Sequence, residues 1–376
     1  MTRASPSGLA DPAACFRQNN LDLVRLLAAV QVVFLHAPLH LQLDLFPAGV
    51  RWLLLQFPGV PIFFFVSGFL ISRSYETNRS LREYGLNRIL RIYPGLWVCL
   101  VFSIGALVGT GYFHEELVDV SFFIWLLAQS TIAQFFNPDF LRGFGVGVVN
   151  GSLWTISVEL QFYILTPCLY FVLFRSARIA RHVTALLLIL VLIFMAANRL
   201  YFALQESFGD HLLYRLAGVS FVPWFYMFLL GVLAQRCFNM LHAWLVGRGL
   251  MLLGAYLLLM LLATPLNLSL GNSIGPMQFM LLGLTVLSLA YSAPHVSRRL
   301  LRGNDISYGI YIYHMPIVNI LVEIGRQGAV LDFWVAFFAT VLAACASWML
   351  VEKPALQLKR HPMNPLRGSA SAPEGR

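Results

Sequence analysis

The stretch Asn20–His40, NLDLVRLLAAVQVVFLHAPLH, constrains the fold of this chain more than any other. It is long enough to cross a bilayer, whose hydrocarbon core asks for about 20 predominantly apolar residues. Yet it carries Asp22, Arg25 and His36. At about 100° per residue, the separation of Arg25 and His36 amounts to just over three turns. The two therefore lie within about 20° of one helix face and about 16 Å apart along the axis. An ionisable side chain near the bilayer centre costs about 2.5–3.5 kcal/mol on the insertion scale, so it marks function by default. A structural account competes, with Arg25 reaching the headgroups or pairing with Asp22 and His36 lying at the far rim. The shared face favours function.

The rest of the chain fits a membrane setting. A hydrophobic fraction of 59%, with 11% charged residues and a mean hydropathy of +0.72, excludes an ordinary soluble protein. The 376 residues are spent almost wholly on apolar runs, so one polytopic domain is expected, without a separate soluble catalytic module. The net charge of +9 invites a nucleic-acid partner, but the basic residues stand between apolar runs, the pattern that orients membrane proteins; no nucleic acid is expected. Cys15, Cys99, Cys168, Cys237 and Cys345 are scattered, and neither a disulfide framework nor a metal site follows. The first apolar run lacks a basic leader and a small-residue cleavage site, so a removable signal peptide is not expected.

Residues 1–19 read as a loose cytoplasmic leader and 355–376 as a flexible cytoplasmic tail rich in Pro, Gly and Ser. Between them, spans are predicted near 21–41, 52–72, 91–111, 153–174, 183–203, 219–238, 244–264, 276–293, 306–324 and 330–351. The apolar run 121–136 is too short for a comfortable crossing. If it does not cross, all 26 basic residues but six lie on the cytoplasmic side, the exceptions being Arg25, Arg51, Arg142, Arg199, Arg215 and Arg326. Counting it as a crossing destroys that bias. The expectation is thus an all-α polytopic protein of about ten transmembrane helices over 20–354, with 121–136 re-entrant or interfacial and both termini cytoplasmic.

Five further features carry chemistry. FFFVSGFLIS (63–72) closes the second span on Ser67-Gly68, which serves either close helix packing or the lining of a site. Arg88-Ile-Leu-Arg91 sets two guanidinium forks on one helix face, a phosphate clamp or simply an inside anchor. SLWTISVELQFY (152–163) opens the fourth span and puts Glu159 about two turns in, at a depth compatible with His36. A structural ion pair or a helix-start acid is the alternative there. SYGIYIYHMP (307–316) places Tyr311 and His314 at i and i+3, with Pro316 expected to kink the helix. Glu352-Lys353-Pro354 reads as a terminal anchor.

Buried His, Glu and Arg also suit a proton-coupled transporter or a lipid-carrier flippase. A structural membrane subunit leaves the ionisable set without a purpose. The set is asymmetric, however: Arg88 and Arg91 lie at the cytoplasmic edge, with His36 and Glu159 deeper. The Arg25–His36 distance, about 16 Å by helix geometry, is of the order of an extended pantetheine arm. An acyl-CoA with its nucleotide at the cytoplasmic face could present its thioester near His36.

Six motifs in order, from Asn20 to Pro354, resemble the acyltransferase-3 family of integral-membrane O-acyltransferases. Arg25 and His36, preceded by Leu21-Asp22, match its Arg-x10-His signature; FFFVSGFLIS, Arg88-Ile-Leu-Arg91, SLWTISVELQFY, SYGIYIYH and Glu352-Lys-Pro354 match its later motifs. The resemblance implies ten membrane helices and transfer of an acetyl or other short acyl group from cytoplasmic acyl-CoA, such as acetyl-CoA, to a hydroxyl of a sugar or glycan, for instance a cell-surface polysaccharide or lipopolysaccharide. It implies catalytic importance for His36 and Arg25, with Arg88 and Arg91 as donor contacts. Many members carry an SGNH-type domain after the last helix, which this chain lacks. It is therefore expected to acylate its acceptor itself rather than hand the group to a partner.

A sugar hydroxyl is a poor nucleophile at neutral pH, and neutral imidazole, with an ordinary pKa of about 6.5, suits the removal of its proton. His36 is the expected base, Glu159 its orienting partner and Arg25 a group steadying CoA or the network around His36. Ser67 joins Arg25, Arg88 and Arg91 on the donor side. Trp154, Tyr163, Tyr311 and His314 are the candidates for substrate contact. An acyl-histidine intermediate is the competing mechanism. No metal is expected, and the motif style suggests a bacterial inner membrane.

Overall fold

The computed structural model describes residues 16, 18–77, 80–113 and 119–358. Most of the expected leader, and the expected tail from 359 onward, lie outside the described residues. Among the described residues every regular element is helical. The principal helices are α1 (Leu21–His40), α2 (Ala48–Gln56), α3 (Gly59–Thr77), α4 (Leu81–Gly109), α5 (Val120–Ser130), α6 (Trp154–Phe174) and α7 (Val183–Ala203). They continue as α8 (Phe225–Arg236), α9 (Phe238–Leu245), α10 (Gly249–Leu262), α11 (Pro276–Ser292), α12 (Ser307–Glu323) and α13 (Val330–Ser347).

Among the described residues six helical runs are long and apolar enough to cross a membrane: α1, α2 with α3, α4, α6, α7 and Val330–Gln357. A seventh results if α9 and α10, bent by 87°, count as one span. The protein is a multi-pass membrane protein, and ten spans is an approximate count. The remaining predicted spans do form helices, but α8, α11 and α12 run to only 12, 17 and 17 residues. Backbone punctuation shortens them. Pro223 precedes α8, Pro276 begins α11, and Gly247 separates α9 from α10 at φ +78°, where a side chain is disfavoured. The run 121–136 folds as α5, whose first turn is capped by Asp119 Oδ1 accepting from Phe122 N at 3.1 Å. At about 16 Å it is shorter than the hydrocarbon core.

The core is built around α3, which packs on α8, α1 and α6. Glycine sets the first of these contacts. A Cβ at Gly68 would fall 2.0 Å from the Phe228 carbonyl oxygen, and one at Gly231 would fall 2.1 Å from that of Phe65. The two backbones approach more closely than any side chain permits. On its other side α1 lies parallel to α12, tied at three levels: Arg25 to Asp305, His36 to His314, and Leu41 O to Gly328 N at 3.0 Å. Asn20 fixes the start of α1, taking 2.8 Å bonds with Ala290 O and Ser297 N.

Helix-interior prolines leave carbonyls without their usual N–H partner, and inside a membrane these must be satisfied by protein. Pro316 frees Ile312 O, which accepts from Asn150 Nδ2 at 2.8 Å and from Cys99 Sγ at 3.3 Å. Pro167 frees Tyr163 O, which accepts from Tyr84 Oη at 3.0 Å. The loop before α6 is stapled to α12 in the same manner. Asn319 Nδ2 donates to Val148 O and Val149 O at 2.8 and 2.9 Å, while Glu323 accepts from Gly145 N at 2.8 Å. These bonds fix the entry of α6 against α12.

Candidate active site

Because α1 and α12 run in parallel, their polar residues meet in two tiers. In the first tier Arg25 Nη1 lies 2.7 Å from Asp305 Oδ2, and Arg91 of α4 binds the same oxygen. The other oxygen, Oδ1, accepts from the backbone N–H and hydroxyl of Ser307 at 3.2 and 2.5 Å. Burial alone would raise the pKa of Asp305, but Arg25 and Arg91 hold it well below the ordinary carboxylate range. Asp305 is the one carboxylate that both guanidinium groups bind directly, with Asp22 and Glu352 also within electrostatic reach of them.

The two arginines expected as a clamp thus divide. Arg91 is committed to Asp305. Arg88 lies over the rings of Tyr84 and Tyr163, 5.9 and 5.6 Å from their centroids, and its buried Nε has no hydrogen-bond partner among the described residues. Arg88 keeps donors for an anion.

Glu159 was expected beside His36. Its carboxylate instead takes two hydrogen bonds on Oε1, from Ser67 Oγ at 2.7 Å and from Tyr163 Oη at 2.5 Å. It thereby aims the Tyr163 ring at Arg88. A cavity opens next to this wall, lined among others by Arg25, Phe63, Thr155, Glu159, Tyr308 and Tyr311. Tyr311 Oη lies 2.7 Å from Thr155 Oγ1, and Tyr308 Oη donates to Ile92 O at 3.0 Å. Trp154 packs its ring on Trp224, 5.2 Å between centroids, as part of an aromatic cluster.

In the second tier the partner of His36 is His314. His36 Nδ1 lies 3.2 Å from His314 Nε2, and His314 Nδ1 lies 2.7 Å from the carbonyl oxygen of Tyr311. A carbonyl only accepts, so His314 carries its proton on Nδ1. With both rings neutral, His314 Nε2 is then an acceptor and His36 Nδ1 the donor. This leaves the lone pair on His36 Nε2. His314 is fully buried, whereas His36 is only partly so.

The structure therefore gathers Arg25, Ser67, Arg88, Glu159, Tyr163 and Tyr311 on the cavity side, joins His36 to His314, and sets Trp154 against a different aromatic neighbour. Sequence reasoning missed Asp305, Thr155, Asn150 and Asn319. A signal existed for Asp305: two buried arginines need an acid, and it stands directly before the Ser307 motif. Asn150 and Asn319 carried none, because their roles depend on which carbonyls α12 leaves free.

A family model described as an acyltransferase domain matches residues 18–352. The chain is 33% identical to Nodulation protein 10 of Rhizobium leguminosarum bv. viciae, over 91% of this chain and 94% of that relative. It is 24% identical to the O-acetyl transferase of Shigella phage Sf6, over 90% and 96%. A third similarity, 26%, is to the peptidoglycan O-acetyltransferase OatA of Listeria monocytogenes, over 42% of this chain and 24% of that protein. No solved structure matches the chain.

Proposed function

The chain belongs to the acyltransferase-3 family of membrane O-acyltransferases, and on that footing we propose that it moves an acetyl or other short acyl group from cytoplasmic acyl-CoA to a glycan hydroxyl, with His36 as the base. That it is an O-acetyltransferase enzyme follows from the family match and its relatives. The transporter reading falls with it.

The observation that carries the base assignment is the hydrogen-bond chain Tyr311 O–His314–His36, which with both rings neutral leaves the lone pair on Nε2 of His36, toward the end of α1 away from Arg25. In the reaction, the acceptor oxygen attacks the thioester carbonyl carbon while Nε2 takes the hydroxyl proton. The carbon–sulfur bond then breaks, and the thiolate recovers that proton from the imidazolium. Atoms and charge balance without an acyl-enzyme.

Arg88, with Arg25 behind it, supports the phosphate-bearing end of the donor, and the cavity beside Glu159 and Ser67 supports the pantetheine arm. Glu159 acts on the donor side by holding Tyr163 against Arg88. The excess of basic residues on the Arg25 side supports a cytoplasmic location for that end and for both termini, and the bacterial inner membrane is the setting that goes with this reading. A glycan acceptor is supported by the name of the peptidoglycan-modifying relative.

The test is release of free thiol from acetyl-CoA by the purified protein with glycan acceptors, wild type beside His36→Ala. General-base help is worth about 10²–10⁴ in rate, so a loss of that order is expected with CoA binding retained. Near-normal turnover in the variant would remove His36 from the chemistry.

A further inference from the structure

A second cavity opens on the far side of His36 from Arg25, beyond the end of the first. Its walls include Phe34 and His36 from α1, Asp44 and Phe46 from the loop after it, and Arg51 and Leu55 from α2. Asp44 and Arg51 are exposed at its rim, and neither side chain forms an ion pair or hydrogen bond among the described residues. Phe34 and Phe46 stack within it, 5.6 Å between centroids at 11°.

We propose that this cavity is the acceptor subsite and that Asp44 and Arg51 select a neutral, polyhydroxylated glycan there. The inference rests on the acyl-transfer reading and adds where the acceptor binds and what recognises it. The chemistry at the two ends of α1 differs in kind. On the Arg25 side Arg25 and Arg91 bind one carboxylate, and Arg88, stacked over Tyr84 and Tyr163, keeps a buried Nε donor unpaired, an arrangement for an anionic donor. Around Asp44 and Arg51 the charges are one of each sign, so a phosphate gains little.

A sugar matches this second end. A carboxylate accepts from vicinal hydroxyls, a guanidinium donates to hydroxyl and ring oxygens, and the Phe46 ring offers an apolar surface to a C–H face. His36 is the one ionisable group of the second tier that also lines this cavity. A hydroxyl bound there reaches the base from one side while the thioester arrives from the other. A site that hydrogen-bonds hydroxyls rejects ligands lacking them, because its own polar groups would be left unpaired.

The test uses the full-length protein with radiolabelled acetyl-CoA and two acceptor probes, soluble peptidoglycan fragments and neutral oligosaccharides, on wild type, Asp44→Asn and Arg51→Gln. Each substitution is expected to raise the acceptor KM about 10–100-fold, the range of one charge-assisted hydrogen bond, with the acetyl-CoA KM unchanged. An unchanged acceptor KM in both variants overturns the subsite while acyl transfer itself stands. A parallel rise in the acetyl-CoA KM also overturns it, as the cavity would then serve the donor. Label on the peptidoglycan fragments, which carry carboxylates, but not on the neutral oligosaccharides overturns the neutral-glycan assignment, as does thiol release by wild type without label on either. Absence of both thiol release and acetyl-CoA binding would mean that the underlying acyl-transfer reading has failed.

Discussion

At the scale of single residues, the two histidines divide one task. On the proposed mechanism His36 supplies the lone pair, and His314 decides which nitrogen carries it, because Tyr311 O accepts the Nδ1 proton of His314. His314 is thus a positioning residue. An amide can imitate it: in His314→Gln the side-chain oxygen accepts from His36 Nδ1 and the NH₂ donates to Tyr311 O. The expected outcome is a kcat for His314→Ala lowered by about 10²-fold or more, partial recovery in His314→Gln, and an unchanged KM for acyl-CoA in both. Equal activity of the alanine and glutamine variants would show that the bond chain does not set the tautomer.

At the scale of elements, the bundle is held by what its helices lack. Gly68 and Gly231 omit a Cβ so that α3 and α8 touch backbone to backbone, and Pro316 omits an N–H so that Asn150 can bond α12 at Ile312 O. Gly68→Ala forces a methyl within 2.0 Å of Phe228 O, which only a shift of α3 or α8 relieves. Overpacking of this kind costs about 1–3 kcal/mol, occasionally more. A clear fall in Tm of the detergent-solubilised protein is expected, and α3 carries Ser67, so activity should fall too. Gly105→Ala, with nothing within 4 Å of the added Cβ, is the control and should melt like wild type.

At the scale of the molecule, Asp305 joins α1, α4 and the start of α12 through one carboxylate. Asp305→Asn removes the one carboxylate that Arg25 and Arg91 both bind directly, leaving only Asp22 and Glu352 as acids in their electrostatic neighbourhood. Breaking a buried ion pair from one side typically costs about 3–5 kcal/mol, and a large loss of thermal stability at neutral pH is expected. The pH dependence has a definite sign. The folded pKa of Asp305 is depressed, so its contribution is complete above the unfolded carboxylate value of about 3.9. It is lost only as pH falls below that value toward the folded one. Between neutral pH and about 5 Asp305 itself stays charged, and any drift in the difference between wild type and Asp305→Asn reports its electrostatic neighbours Asp22 and Glu352. A difference abolished altogether by about pH 5 would show that Asp305 is not held ionised.

The sequence by itself determined the all-helical membrane class, because apolar runs of bilayer length leave the backbone no other way to pair its polar groups. It also determined that Arg25 and His36 share one face, since helix periodicity is local. It could mark His314, Glu159, Arg88 and Arg91 as chemical residues, but not their partners. Only the tertiary structure paired His36 with His314 rather than Glu159, gave Arg91 to Asp305 and left Arg88 unspent. The reason is physical. Which buried polar groups meet is fixed by the parallel register of α1 with α12 and by close approach at glycines, and both are contacts between segments far apart in the chain.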